Sequence, residues 1–152
     1  MTKTALNDEE RRARDLQRMR ERTGIDERMI EQLVRGFYAR IREDELLGPI
    51  FAARIRDWEP HLQRMCAFWS SVVLASGVYS GQPMRKHLPL PVDALHFDRW
   101  LELFERTARE LFAEPVALHF IEPARRIATS LEFGIASGQG VLLGRGDRYV
   151  RE

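Results

Sequence analysis

Apolar residues recur every three or four positions over four long stretches of this chain, and no stretch alternates with period two over a useful length. The first begins at Asp26, a good N-cap, and sets Met29, Ile30, Leu33, Val34, Phe37, Tyr38 and Ile41 along one stripe; Glu43-Asp44-Glu45 ends it. Leu47-Gly48-Pro49-Ile50-Phe51 then reads as a tight corner. Asp57-Trp58-Glu59-Pro60 opens the second helix, its proline in the first turn where a missing N–H costs little, and His61, Met65, Phe68, Trp69, Val72 and Val73 follow on one side until Gly77. The third helix is predicted over about 92–113, with Phe97, Trp100, Leu101, Phe104, Ala108, Leu111 and Phe112 in register, and Glu114-Pro115 breaks it. The last runs to about Ser137 through Phe120, Ile121, Ala124, Ile127, Ala128, Leu131 and Ile135, with Pro123 either kinking it or marking its start. The fold class is all-α.

The two ends read differently. Residues 1–25 hold a polar leader followed by Asn7-Asp8-Glu9-Glu10-Arg11-Arg12, acid first and base later as at a helix N-terminus, and predict a peripheral helix or partly ordered arm. The glycine- and arginine-rich segment 138–152 predicts a flexible, frayed tail. The core domain is therefore expected at 26–137.

Composition narrows the function classes. With 152 residues the chain supports one core that buries roughly two thirds of its unfolded surface. A net charge of +1, with basic and acidic residues interleaved, argues against a nucleic-acid footprint. The single cysteine, Cys66, excludes an intrachain disulfide and multi-cysteine metal sites, and its apolar neighbours predict a buried thiol. No apolar run approaches a membrane span and the N-terminus is too charged for a secretory signal, so the expected location is cytoplasmic, without membrane partners.

The connection Gly81-Gln82-Pro83-Met84-Arg85-Lys86-His87-Leu88-Pro89-Leu90-Pro91 is what a simple bundle would not need. Pro83 can open one helical turn and Pro89 cannot continue it, which leaves His87 at the end of a pinned stub. Imidazole is the commonest metal ligand among side chains, and a haem iron held by one histidine is a standard arrangement; a histidine on a surface loop is the ordinary alternative. Tyr38, His61 and Trp100 each interrupt an apolar face, and with His87 they could line one cavity or be core residues with satisfied polar tips. Periodicity does not decide between the two. Hydrolase and nucleotidyl readings lack support: there is no His-Glu-x-x-His, no phosphate-binding glycine motif and no nucleophile near a base, and His96 and His119 read as surface or helix-edge residues.

Seven blocks in order, Gly36-Phe37-Tyr38, Leu47-Gly48-Pro49-Ile50-Phe51, Trp58-Glu59-Pro60-His61, Phe68-Trp69, Tyr79-Ser80-Gly81-Gln82-Pro83, Lys86-His87-Leu88 and Phe97-Asp98-Arg99-Trp100-Leu101-Glu102-Leu103-Phe104, resemble the group III truncated haemoglobins over about residues 27–137. The resemblance implies a truncated globin fold, two helices over two around haem b (iron protoporphyrin IX), here with an N-terminal helical extension. It implies His87 as proximal iron ligand, Tyr38 and Trp100 as distal hydrogen-bonding residues, His61 at the distal gate, and Phe37, Phe51, Met65, Phe68 and Trp69 around the haem. Arg85 and Lys86, beside the ligand histidine, are candidate partners of the haem propionates. The leader before residue 26 and the tail after 138 fall outside the family's core.

The implied function is binding of dioxygen, carbon monoxide, nitric oxide or similar ligands at an open iron position. Strong distal hydrogen bonding slows ligand escape, which favours oxygen-dependent redox chemistry or nitric-oxide or peroxide detoxification over bulk oxygen transport, with a reductase as a possible partner and a dioxygenase- or peroxidase-like activity in view. A haem-based sensor and a haem-free helical interaction domain are the alternatives.

Overall fold

The computed structural model describes residues 5–79 and 81–151. Among them the chain forms α1 Asp8–Thr23, α2 Glu27–Glu43, α3 Gly48–Arg54, α4 Trp58–Leu74, α5 Pro83–His87, α6 Ala94–Leu111 and α7 Glu114–Gly138, with no strand. None of these helices is long and apolar enough to cross a membrane. The stripe of α2 is buried at Ile30, Leu33, Val34, Phe37, Tyr38 and Ile41, and Asp26 caps the helix by accepting the Met29 N–H at 2.9 Å. Helix α2 packs against α4, α6 packs against α7, and α2 lies along α6 to join the two pairs. The four long helices thus form two packed pairs, one laid over the other, as the sequence leads one to expect.

The N-terminal segment forms helix α1 from Asp8. The Asn7 side chain accepts the Glu10 N–H at 2.8 Å while the Glu10 carboxylate accepts the Asn7 N–H at 3.2 Å, a reciprocal cap. Gly24 ends the helix at φ +72°, where a side chain would be strained. Leu16 and Met19 reach the main core, and α1 rests on α4.

Several local expectations change for identifiable reasons. The corner at residues 47–51 is the start of helix α3, because Pro49 falls in its first turn. Gly48 is required there by close approach: a Cβ on it would lie 2.9 Å from the Arg42 carbonyl oxygen. Helix α6 begins after Asp93, whose side chain caps it, and Leu111 at its far end is 43% exposed instead of core. Glu114-Pro115 starts α7 directly, and Pro123 lies inside that helix without ending it. Helix α4 stops at Ala75, at φ +54°, two residues before Gly77.

The tail is the largest correction. Tyr149 is buried in a second apolar cluster with Val92, Phe97, Ala128, Ile135 and Ala136, and the Tyr149 carbonyl accepts the Ala94 N–H at 2.7 Å. The physical reason lies on α7. Glu132 is a buried carboxylate in need of donors, and the segment after Gly138 folds back to provide them.

Candidate functional site

A cavity of about 610 Å³ opens among α2, α3, α4, α5, α6 and α7. Its size lies within the roughly 300–1,000 Å³ of small-molecule and cofactor sites. Tyr38, Phe51, His61, Met65, Phe68, Trp69, Lys86, His87 and Trp100 line it, so the structure brings nearly all of the predicted residues together. Phe37 does not reach the wall. It is 1% exposed and stands behind it, edge-on to Tyr38 at 5.1 Å and to Trp100 at 5.4 Å. The Arg85 side chain lies outside the described residues.

His87 closes the single turn of α5, which Pro83 opens. Its Nδ1 hydrogen-bonds the Pro83 carbonyl at 2.5 Å. An oxygen partner at Nδ1 fixes that nitrogen as the N–H and leaves Nε2 with its lone pair, the form in which imidazole binds a metal. Among the described residues no three His, Cys, Asp or Glu side chains converge as ligands for a bare ion. One histidine suffices only where other donors come with the metal, as in a macrocycle.

Tyr38 is held between rings: Phe37, Phe51, Trp58 and His61 all lie with centroids 5.1 to 5.9 Å from its own. Burial raises its phenol well above the ordinary value, so the hydroxyl remains a donor. No hydrogen bond among the described residues engages that hydroxyl or the Trp100 indole N–H. His61 begins the apolar face of α4. Burial, reinforced by the positive charges of Arg64 and Lys86, lowers it to about 4, so the ring is neutral at ordinary pH. Its Nε2 is fully buried and has no partner, an uncompensated polar atom on a cavity wall. Trp100 stacks on Phe104, centroids 5.4 Å apart and planes at 13°, and Phe104 stacks in turn on Trp69 at 4.9 Å.

The bacterial-like globin family model matches residues 19–128. The group 3 truncated hemoglobin of Campylobacter jejuni is 34% identical over 113 residues, 71% of this chain and 89% of that protein. The chain belongs to the group III truncated haemoglobins. The crystal structure of the group III truncated hemoglobin from Campylobacter jejuni superposes on this globin with a TM-score of 0.67, again at 34% identity over 71% of this chain and 89% of that one. Membership implies a haem cofactor and small gaseous ligands.

The cavity of this truncated globin fits such a group. It offers one imidazole whose Nδ1 is already engaged, a wall of Phe51, Met65, Phe68 and Trp69, and an unpartnered Nε2 on His61. Three basic residues on the cavity lining, Arg54, Arg56 and Arg64, were not singled out by sequence reasoning. Two of them flank the end of α3, and only the placement of that short helix turns them toward the cavity. His96 also reaches the lining, although its ring is occupied in the α6 cap, where Nδ1 accepts the Asp93 N–H at 3.2 Å. His119 is exposed. Cys66 is half-buried instead of buried, and burial raises its thiol above the ordinary value.

Proposed function

We propose that this truncated globin holds haem b through His87 Nε2 and binds diatomic gases beside Tyr38 and Trp100, serving oxygen-dependent redox chemistry or nitric-oxide or peroxide detoxification. A haem held there by His87 would supply an iron able to take up a gas. The observation that carries the reading is His61 Nε2, a buried nitrogen without a partner on the wall of a cavity that Tyr38, Trp100 and His87 also line. A buried tyrosine such as Tyr38 ordinarily finds a partner for its polar tip, and the half-buried Trp100 presents its N–H from the same wall. Here the partner is what enters the cavity.

Tyr38 and Trp100 are neutral donors, and a ligand that draws negative charge toward its far atom accepts from them. Hydrogen bonds to charged groups contribute about 1.5–3 kcal/mol, roughly 10- to 150-fold in an equilibrium constant. That factor appears mainly in ligand escape. A protein that releases oxygen slowly is suited to turnover in place, with electrons from a reductase. His61, at the gate position, is too basic-poor to be charged at ordinary pH and acts as a neutral bulk on the entry side. Lys86, together with Arg54, Arg56 and Arg64, provides positive charge for the haem propionates.

The test is optical. The purified protein should show a Soret band, and the ferrous form should bind oxygen and carbon monoxide reversibly at one site per chain. Failure of the haem-free chain to take up added haem would overturn the proposal in favour of a helical interaction domain.

A further inference from the structure

The segment after α7 lies beyond residues 19–128, the span matched by the family model, yet it is tied to the wall of the cavity. Three sets of bonds make the connection. The Arg148 guanidinium reaches both oxygens of Glu132 on α7, from Nε at 2.9 Å and from Nη2 at 2.9 Å, and also Asp98 on α6 at 2.7 Å. The Tyr149 N–H donates to Glu132 at 3.0 Å, and the Tyr149 carbonyl takes the Ala94 N–H at 2.7 Å. The Arg151 N–H donates to Asp93, the residue that caps α6, at 3.0 Å.

Each of these bonds meets a need that α6 or α7 cannot meet alone. The first N–H groups of a helix have no partner within it, and Ala94 opens α6. The Glu132 side chain is 7% exposed, and a carboxylate that deep requires a countercharge and donors. Arg148 is the group that spans α6 and α7 there, since its fork matches carboxylates on both. The Tyr149 ring completes the link by packing in the cluster that contains Val92 and Phe97, both of which line the cavity, with Trp100 and Leu131 against it.

We propose that Arg148 and Tyr149 are positioning residues for the haem pocket: they clamp the start of α6 onto α7 and thereby fix Phe97 and Trp100 on the cavity wall. They touch neither the cavity nor its contents. Their action passes through the α6 backbone, one to two turns ahead of Trp100. The inference rests on the reading of this cavity as the haem site.

Amide exchange of the full haem-free chain and spectroscopy of the loaded protein test it together. In Arg148→Ala the Ala94 amide should exchange roughly tenfold or more faster, the factor expected for one charge-assisted hydrogen bond, while amides of α2 and α4 stay at wild-type rates. The loaded variant should lose haem to excess apomyoglobin several-fold faster and show a displaced or broadened carbon monoxide stretching band, because the polar groups around the ligand no longer sit in one arrangement. Arg148→Lys, which keeps the charge and loses the fork, should fall between the two. Should Arg148→Ala fold poorly, Asp98→Asn removes only the exposed half of the link and should shift the same three readouts by less. Wild-type haem loss and an unshifted band in a variant whose Ala94 amide is deprotected would overturn the inference, as would an Ala94 amide unchanged in Arg148→Ala. Failure of the wild-type chain to hold haem would instead overturn the reading of the cavity.

Discussion

The Tyr38 phenol stands edge-on to the His61 imidazole, ring centroids 5.1 Å apart and planes at 88°. The two rings belong to different helices, and neither donates to the other. Their contact is one of packing, and it leaves His61 Nε2 without a partner. Trp58 completes the corner, edge-on to His61 at 5.8 Å, and itself carries the Arg42 guanidinium 4.7 Å from its ring centroid.

Two donors that serve one ligand form a coupled network whose effects do not add. Tyr38→Phe and Trp100→Phe should therefore change oxygen dissociation by different amounts, and the double variant should release oxygen roughly 10- to 150-fold faster than wild type, with faster autoxidation. Carbon monoxide, a less polar ligand, should respond less. Stopped-flow mixing gives all four corners of the cycle; a wild-type rate in the double variant, or strict additivity, would refute the network.

His61 offers a test on the haem-free chain. A buried nitrogen without a partner costs stability, so His61→Leu, of similar bulk, should raise the unfolding free energy of that form by about 1 kcal/mol. In the loaded protein the same change should alter ligand association more than oxygen dissociation. Urea denaturation and flash photolysis provide the two readouts, and a destabilised haem-free variant would mean that Nε2 has a partner after all. A six-coordinate low-spin ferrous spectrum that His61→Leu abolishes would show His61 to be an iron ligand.

His87→Gly removes the one imidazole whose Nδ1 is fixed by a backbone carbonyl. The expected result is loss of stable haem, recovered in part by added imidazole because the turn from Pro83 keeps its place. Haem titration followed at the Soret maximum distinguishes this from an unchanged ferrous spectrum, which would exclude His87 as the ligand.

Asp44 joins three elements. Its carboxylate accepts Leu46 N–H at 3.2 Å, Leu47 N–H at 2.9 Å and Arg99 Nε of α6 at 2.7 Å, and its side chain is 4% exposed. Burial alone would raise this carboxyl, but the hydrogen bonds from Leu47, Arg99 and Leu46 outweigh it and hold it below the ordinary carboxylate range. A depressed folded-state value contributes stability that is complete above the unfolded value of about 4 and lost as pH falls through the folded one. Asp44→Asn should thus cost about 1–3 kcal/mol at pH 7, with the gap to wild type closing below about pH 4. A gap of equal size at pH 3 and pH 7 would show that the charge is not what matters.

The long helices were legible because each buries a stripe, and a stripe is a local pattern: Ile30 to Ile41 on α2 is visible three and four residues at a time. The short turn that ends at His87 was legible because prolines are local too. What periodicity could not carry was any partnership across the chain. Arg148 and Glu132 are 16 residues apart, and the glycines and arginines around Arg148 have the composition of a loose end. The basic lining was hidden in the same way, since Arg54 and Arg56 read as ordinary surface charge until α3 turns them inward. Phe37 shows the reverse case, a residue on the right stripe that supports the wall from behind.

The cavity of about 610 Å³ has a consequence for the life of the chain in a cell. A ligand that binds only the folded form deepens the folded basin by mass action, by about 4 kcal/mol when present at roughly a thousand times its dissociation constant. Native domains have only about 5–15 kcal/mol in all, and unfolded fractions are continually removed by proteolysis. Haem supply should then govern how much of this protein persists as well as how much of it is active, with chains made during haem shortage cleared soonest.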